Sequence, residues 1–259
     1  MSRLWAALPA YNEERSLPPL LERYVALAPQ VAEMGMELRV LVVDDGSSDR
    51  TIEVARGFAD RLPLEVIPHA VNQNLGAALR TGLTGALERA SDGDLISTMD
   101  ADNTHDPALL LDMVRRLHDE QADIVIASRY APGGEEVGLS GLRRILSRGA
   151  SFMLSVVAPV RGARDYTCGF RLYRGSFLRR AHERWGKRLV EEVGFTCMAE
   201  VLLKLGRWGG AKVVEAPLIL RYDRKEGGSK MKVLQTIARY FVLSRDIRSR
   251  PLPPLSDRA

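Results

Sequence analysis

The sequence predicts an α/β domain built on a mainly parallel central sheet with helices on both faces. Three observations carry this. Apolar runs of strand length alternate with 10–15-residue stretches of helical character through the first half of the chain. Leu38–Val43 is apolar nearly throughout, as strands covered on both faces are. The runs also break into polar, acid-bearing loops, and in such sheets ligands sit beyond the carboxyl ends of the strands.

The elements follow in order. Leu4–Ala10 is the first strand and ends in Pro9-Ala10-Tyr11-Asn12-Glu13-Glu14. Ser16 is placed to cap the next helix, with Pro18 in its first turn and Leu20, Leu21, Tyr24 and Val25 on one face. Leu38–Val43 ends in Asp44-Asp45-Gly46-Ser47-Ser48-Asp49, and Thr51–Leu62 follows as a helix. Leu64–Pro68 is a weaker strand, Asn74-Leu75-Gly76 opens the helix Ala77–Ala90, and Asp94–Met99 is the fourth strand. Pro107–His118 is a helix and Ile124–Ala127 a fifth strand, ending in Ser128-Arg129-Tyr130.

The fourth strand carries the strongest chemical signal. It ends on Asp100 and Asp102, and an extended backbone through Ala101 points both carboxylates the same way. Two such carboxylates repel unless a positive charge lies between them. A hard divalent cation, Mg²⁺ or Mn²⁺, itself holding a diphosphate, meets that need; a plain Asp-rich turn is the competing reading of the stretch alone. Either Asp44 or Asp45 can accept hydrogen bonds from a base or ribose, because neighbouring acids point to opposite faces and helix capping employs only one. No G-x-G-x-x-G follows the first strand, and no P-loop or serine elbow occurs, which sets aside dinucleotide, P-loop and serine-hydrolase chemistry.

Composition bounds the rest. The chain has 259 residues, 46% hydrophobic and 27% charged, enough for one large domain or two small ones. A net charge of +4 suits a protein that handles phosphates or touches anionic lipid. It excludes little by itself, but basic residues without interleaved aromatics argue against nucleic acid. Cys168 and Cys197 are too few for a disulfide framework and read as buried hydrophobes in a reducing compartment. Met1-Ser2-Arg3 runs straight into the first strand without a secretory leader, and no apolar run approaches the ~18 residues of a membrane span. The expectation is a cytoplasmic protein, soluble or peripheral at the cytoplasmic face of a membrane.

In the second half, residues 142–160 form an amphipathic helix. Arg143, Arg144, Ser147, Arg148, Ser151 and Ser155 fall on one arc; Ile145, Leu146, Gly149, Phe152, Met153, Val156 and Val157 fill the rest, with Leu154 out of place. It is read either as a buried helix with a solvated basic stripe or as a helix lying on a membrane with its arginines at phosphate depth. Arg224–Lys230 is a charged, Gly-containing stretch that could fold over a diphosphate, with an ordinary exposed loop as the alternative. Residues 231–250 form a C-terminal amphipathic helix, and 251–259, with three prolines, reads as a disordered tail.

Taken together, Pro9-Ala10-Tyr11-Asn12-Glu13, Val42–Thr51, Asn74-Leu75-Gly76 and Asp100-Ala101-Asp102 resemble family 2 glycosyltransferases of the Rossmann-like GT-A fold. The second half is similar to polyprenol-phosphate hexosyltransferases, the group of the dolichol-phosphate mannosyltransferases. The pieces are Ser128-Arg129-Tyr130, Arg143–Ala150, Asp165–Arg171, Glu192–Phe195, and Arg224 with Gly228-Ser229-Lys230. The resemblance implies one GT-A domain over 1–230, with a nucleotide-sugar and metal half over 1–130 and an acceptor half over 131–230. It implies that Pro9, Tyr11 and Glu13 line the nucleotide pocket, that Asp44 meets the base or ribose, and that Asp100, Ala101 and Asp102 hold the donor diphosphate, the two acids through Mg²⁺ or Mn²⁺. Arg129, Arg143 and Ser147 would receive a lipid phosphate, and Arg224 and Lys230 would close over the donor. Asp102, Arg129, Arg143 and Ser147 are then the catalytic set.

The implied reaction is an inverting transfer of a hexose, mannose from GDP-mannose first, to a polyprenyl monophosphate at a membrane surface. A UDP-glucose or UDP-N-acetylglucosamine donor, a hydroxyl acceptor served by Asp165 or Glu191/Glu192 as base, and a non-catalytic partner protein are the alternatives. A membrane-anchoring partner protein is left open by the sequence. One departure stands out: the family's usual Gln metal ligand two residues beyond the second Asp is Thr104, a shorter and poorer ligand. His105 matches the family's His and is read as structural.

Overall fold

The structure is a computed structural model that describes residues 1–225 and 233–255, without the side chains of Leu142, Arg143, Val233, Leu234 and Ile237. Its frame is a seven-stranded sheet in the order β3-β2-β1-β4-β7-β5-β8. The strands are β1 (Ser2–Ala10), β2 (Met36–Asp44), β3 (Leu64–Pro68), β4 (Leu95–Thr98), β5 (Ile124–Ser128), β7 (Arg171–Arg174) and β8 (Val213–Pro217), and β6 (Glu135–Val137) pairs apart with β9 (Ile219–Arg221). The helices are α1 (Leu17–Glu33), α2 (Thr51–Arg56), α3 (Asn74–Arg89), α4 (Leu109–Asp119), α5 (Gly141–Val157), α6 (Gly175–Trp185), α7 (Thr196–Arg207) and α8 (Val233–Ser249).

All seven residues from Leu4 to Ala10 are buried, and so are Val40–Asp44 and Ile124–Ser128. Helices cover both faces, which is why these strands read as unbroken apolar runs. From β1 the chain winds outward through β2 and β3, then returns to place β4 on the other side of β1. The reversal opens a crevice at the carboxyl ends of β1, β2 and β4. Every acid singled out in the sequence lies at that end.

Three departures have physical reasons. β7 runs antiparallel between β4 and β5, so the sheet is mixed; its four residues, Arg171 included, are too few to show a period. Ser16 makes no side-chain cap, because it is itself helical (φ −79°, ψ −31°) and Leu17 N–H already donates to the Glu13 carbonyl at 2.9 Å. The tail expected to be disordered is packed over residues 251–255: Leu252 is buried, Trp185 Nε1 donates to the Pro253 carbonyl at 2.8 Å, and residues 256–259 lie outside the described set. Cys168 and Cys197 are buried and unpaired, as expected.

The amphipathic helix α5 is oriented by the residue that seemed misplaced. Leu154 is fully buried, with Ala150 and Ser151 beside it, while Ile145, Phe152 and Val156 are 69%, 71% and 62% exposed. α8 packs alongside, Ser244 Oγ donating to Met153 Sδ at 3.8 Å, and leaves Phe241 60% exposed next to that face. Among the described residues, no helix is long and apolar enough to cross a membrane.

The α3 start is seated by close approach. Gly76 N–H donates to the Val193 carbonyl at 2.8 Å, and a Cβ on Gly76 would lie 1.8 Å from the Glu192 carbonyl oxygen. Backbone cannot give way there as a flexible side chain can. Gly76→Ala is therefore expected to lower stability by about 1–3 kcal/mol in denaturant titration, a cost of overpacking rather than of helix propensity.

Candidate functional site

A cavity of about 630 Å³ fills the crevice. Its near wall is the loop after β1, folded onto the loop after β2: Asp45 N–H donates to the Ala10 carbonyl at 2.8 Å, Glu13 N–H to Thr51 Oγ1 at 2.8 Å, and Ser48 N–H to Asn12 Oδ1 at 2.8 Å. Asn12 takes φ +51°, a conformation Asn tolerates better than most residues. This lock places Pro9, Tyr11 and Glu13 on the cavity wall, where the sequence put them.

The neighbouring acids do divide. Asp45 lines the cavity, its Oδ1 2.7 Å from His69 Nδ1 and accepting the Gln73 N–H at 2.9 Å. Asp44 is fully buried beneath the turn, accepting the Ser47 N–H at 3.1 Å, and it is not on the cavity wall. Its Oδ1 has no hydrogen-bond partner among the described residues. Of the two, Asp45 is thus the one whose side chain faces the space.

Asp100, Ala101 and Asp102 form the cavity floor. Burial and the charge of Asp102 push the Asp100 carboxyl up to about 7. Asp102 is treated differently. Burial raises it, but the Lys225 ammonium, His105 and hydrogen bonds from Lys225 and Thr104 together hold it below its usual range. Thr104 Oγ1 donates to Asp102 Oδ1 at 2.7 Å, and Lys225 Nζ is paired with Oδ2. The residue at the family's Gln position therefore steadies the second acid from the side. His105 is buried, its pKa lowered to about 4 by burial, with Nδ1 3.2 Å from Thr104 Oγ1 and its ring edge-on to Phe170. Those contacts fit the structural reading.

Does this floor suit a divalent cation? Asp100 and Asp102 are two oxygen donors whose mutual repulsion calls for positive charge, and Thr104 adds a hydroxyl nearby. Among the described residues no third His, Cys, Asp or Glu joins them. Two carboxylates with the remaining positions left to substrate phosphate and water is the donor set Mg²⁺ accepts. The residues fit.

The far wall comes from the second half. Glu192–Thr196 and, from α8, Gln235, Thr236 and Arg239 close the cavity. Arg239 grips Glu192 through Nε (2.8 Å to Oε2) and Nη2 (2.7 Å to Oε1), and Thr196 Oγ1 donates to the same carboxylate at 2.7 Å. Burial opposes ionisation of Glu192, yet these donors keep its pKa below the usual carboxylate value.

Beside this cavity lies a basic cluster. Arg129 Nε and Nη2 donate to the two oxygens of Asp165 at 2.7 Å each, Nη2 also to Thr167 Oγ1 at 2.7 Å, and Nη1 to Ser147 Oγ at 3.1 Å. Burial raises Asp165, but Arg129 and two backbone N–H groups hold it low. The structure thus brings Arg129 and Ser147 together as the sequence implied. Arg143 lies on α5 one turn before Ser147, with its side chain outside the described residues. Arg224 ends the short 3₁₀ turn Tyr222–Arg224 and does not line the cavity; Lys230 lies outside the described residues. A second cavity of about 510 Å³ opens on this cluster, bordered by Arg129, Arg148 and Arg164 and by Phe152.

Sequence reasoning missed Lys225, Arg239 and the buried Glu136 below the arginines. Lys225 adjoins Arg224 in a stretch already marked as cationic. Nothing in the sequence distinguishes Arg239 or Glu136 from surface charges.

The profile of the glycosyl transferase family 2 domain matches residues 5–181. The chain belongs to this family. The glycosyltransferase is 31% identical over 226 residues to the dolichol-phosphate mannosyltransferase of Pyrococcus furiosus, an alignment spanning 87% of this chain and 58% of that enzyme. It is 33% identical to the polyprenol monophosphomannose synthase of Mycolicibacterium smegmatis over 238 residues, 88% of this chain and 81% of that one. In structure it is similar to glucosyl-3-phosphoglycerate synthase of Mycobacterium tuberculosis, solved with Mn²⁺, UDP and phosphoglyceric acid (TM-score 0.65, 18% identity, 96% of this chain and 79% of that one). The expected GT-A fold is thereby shown.

The raised Asp100 carboxyl gives the glycosyltransferase a pH signature in chelator. A pKa higher in the folded than in the unfolded chain means that stability is lost as pH rises between the two values. Asp100→Asn removes that loss. The expected outcome is a melting temperature above wild type at pH 8, a gap that grows from about pH 4 and levels above about pH 7.

Proposed function

We propose that the protein transfers a hexose, mannose from GDP-mannose first, to a polyprenyl monophosphate with inversion at the anomeric carbon. The observation that carries this is the state of the three candidate bases, Asp165, Glu191 and Glu192. A hydroxyl acceptor needs a carboxylate free to take its proton. Here Asp165 is bound bidentately by Arg129 and Glu192 by Arg239, both held below the usual carboxylate pKa, and Glu191 is paired with Lys204 Nζ at 2.7 Å. A phosphate monoester needs no base, since its second pKa of about 6 leaves it largely dianionic at neutral pH. The names of the relatives from Pyrococcus and Mycolicibacterium support the same acceptor and sugar.

The donor would occupy the larger cavity, its nucleotide against Pro9, Tyr11, Glu13 and Asp45. Asp100 and Asp102 would hold Mg²⁺ or Mn²⁺, which when bound neutralises the diphosphate and so eases its departure. Lys225 brings a further cation to the same edge, and Arg129 with Ser147 orients the acceptor phosphate. Residues 1–230 then act as one catalytic domain in two halves, nucleotide side and acceptor side.

The outward-facing Ile145, Phe152, Val156 and Phe241 support peripheral attachment to a membrane, proposed at its cytoplasmic face, where the acceptor's isoprenoid chain lies. A membrane-anchoring partner protein is compatible with the same face.

The deciding assay uses labelled GDP-mannose, UDP-glucose and UDP-N-acetylglucosamine with a short polyprenyl phosphate, with Mg²⁺, Mn²⁺ or EDTA. Metal-dependent label in the organic phase from GDP-mannose is expected, and Glu192→Gln is expected to retain activity within about tenfold, whereas a general base would cost ~10²–10⁴-fold. Donor hydrolysis without lipid product would overturn the acceptor; transfer from a UDP-sugar instead would overturn the sugar. Separately, Phe152→Glu with Phe241→Glu is expected to abolish co-sedimentation with anionic vesicles without lowering the melting temperature, since both side chains are exposed.

A further inference from the structure

Glu136 is out of place for a charged residue. Its side chain is 1% exposed, and it sits on β6 in register with Leu220 of β9. Three guanidinium groups surround its carboxylate: Arg129 Nη1 at 3.6 Å, Arg144 Nε at 3.7 Å and Arg148 Nε at 3.8 Å. None is close enough for a hydrogen bond, and neither carboxylate oxygen accepts one among the described residues. A buried carboxylate without a donor needs an explanation, and structural use does not supply one, because a structural ion pair closes to hydrogen-bonding distance as Asp165 does with Arg129.

The surroundings say what the carboxylate is for. Arg129 cannot turn toward Glu136, because Asp165, Thr167 and Ser147 hold it. The β6–β9 pairing sets the Glu136 backbone, and from there its carboxylate stands 3.6 Å from Arg129 Nη1. Arg148 is 61% exposed on α5 and borders the second cavity, while Arg144, 42% exposed, donates through Nη2 to the Glu136 backbone carbonyl at 3.1 Å. The carboxylate therefore balances a fan of cations without satisfying their donors.

We infer that Glu136 is the resident counter-ion of the acceptor-phosphate site: its fixed negative charge occupies the field of Arg129, Arg144 and Arg148 while the site is empty and limits how tightly a phosphate binds there. This rests on the acceptor reading above and adds its regulation. A phosphate monoester arriving from the cavity side supplies the close oxygens that Glu136 does not, and draws Arg148 away from it. The incoming dianion then remains near an uncompensated like charge, which weakens its hold and favours release of the phosphate-linked product. The site trades affinity for turnover.

Removing the charge while keeping the shape tests this. Glu136→Gln and Glu136→Met are compared with the wild-type full chain by calorimetric titration with inorganic phosphate and with farnesyl monophosphate, alongside thermal melts; the Met variant covers the case in which an unpaired amide impairs folding. Both variants are expected to bind farnesyl monophosphate roughly tenfold more tightly, because like charges held at this range oppose binding by about that much. Slower product release, seen as a burst followed by a lower steady rate, is expected with it. A structural role alone gives no gain in affinity. Unchanged or weaker binding of both ligands by folded variants overturns the inference, even where lipid transfer itself is intact. Tighter inorganic phosphate with no preference for the farnesyl chain supports the counter-ion while overturning the lipid acceptor.

Discussion

The molecule is arranged around a repulsion. Asp100 and Asp102 stand one residue apart at the end of a strand buried on both faces, where water screens them poorly. Burial cannot be relaxed, because β4 pairs β1 on one side and β7 on the other. Positive charge has to come to the acids. In the protein alone Lys225 supplies it to Asp102, and Asp100 is left with its carboxyl raised to about 7. A divalent ion with a diphosphate would satisfy both. The crevice, the loop lock on its near wall and the α8 side chains on its far wall all enclose that place.

Away from that floor, buried carboxylates are paired with arginines. Asp165 fixes Arg129 by a close bidentate pair, while Arg239 neutralises Glu192 across the donor cavity. Both acids are thereby engaged by guanidinium groups and held below the usual carboxylate pKa.

Much of this was legible in the sequence, and the reason is geometric. Strands covered on both faces leave continuous apolar runs, so β1, β2, β4 and β5 were readable, and the acids at their ends followed from the crevice rule. Asp44 and Asp45 were rightly expected to diverge, but the resemblance put Asp44 on the base or ribose, whereas the turn at Gly46 buries Asp44 and leaves Asp45 on the cavity wall. Arg129 and Ser147 are 18 residues apart and meet only because α5 lies against the end of β5. β7 escaped notice because four residues of mixed polarity have no period. Arg239 and Glu136 escaped because long-range pairing of single charges leaves no local trace. Leu154 misled in an instructive way: it looked like an error in the polar arc and proved to be the contact that aims Phe152 outward.

The placement of β7 bears on how the chain is made. β7 lies between β4 and β5 yet follows both in the chain, and β8, which pairs β5, comes later still. A nascent chain that has emerged only to β5 has an unpaired β4 edge and a β5 strand with no neighbour. The first half therefore cannot complete its sheet until β7 has been made. It has to wait some 45 residues of synthesis, several seconds at ordinary elongation rates, with an apolar edge open to other chains. The vulnerability this topology builds in is a sheet edge left open during synthesis.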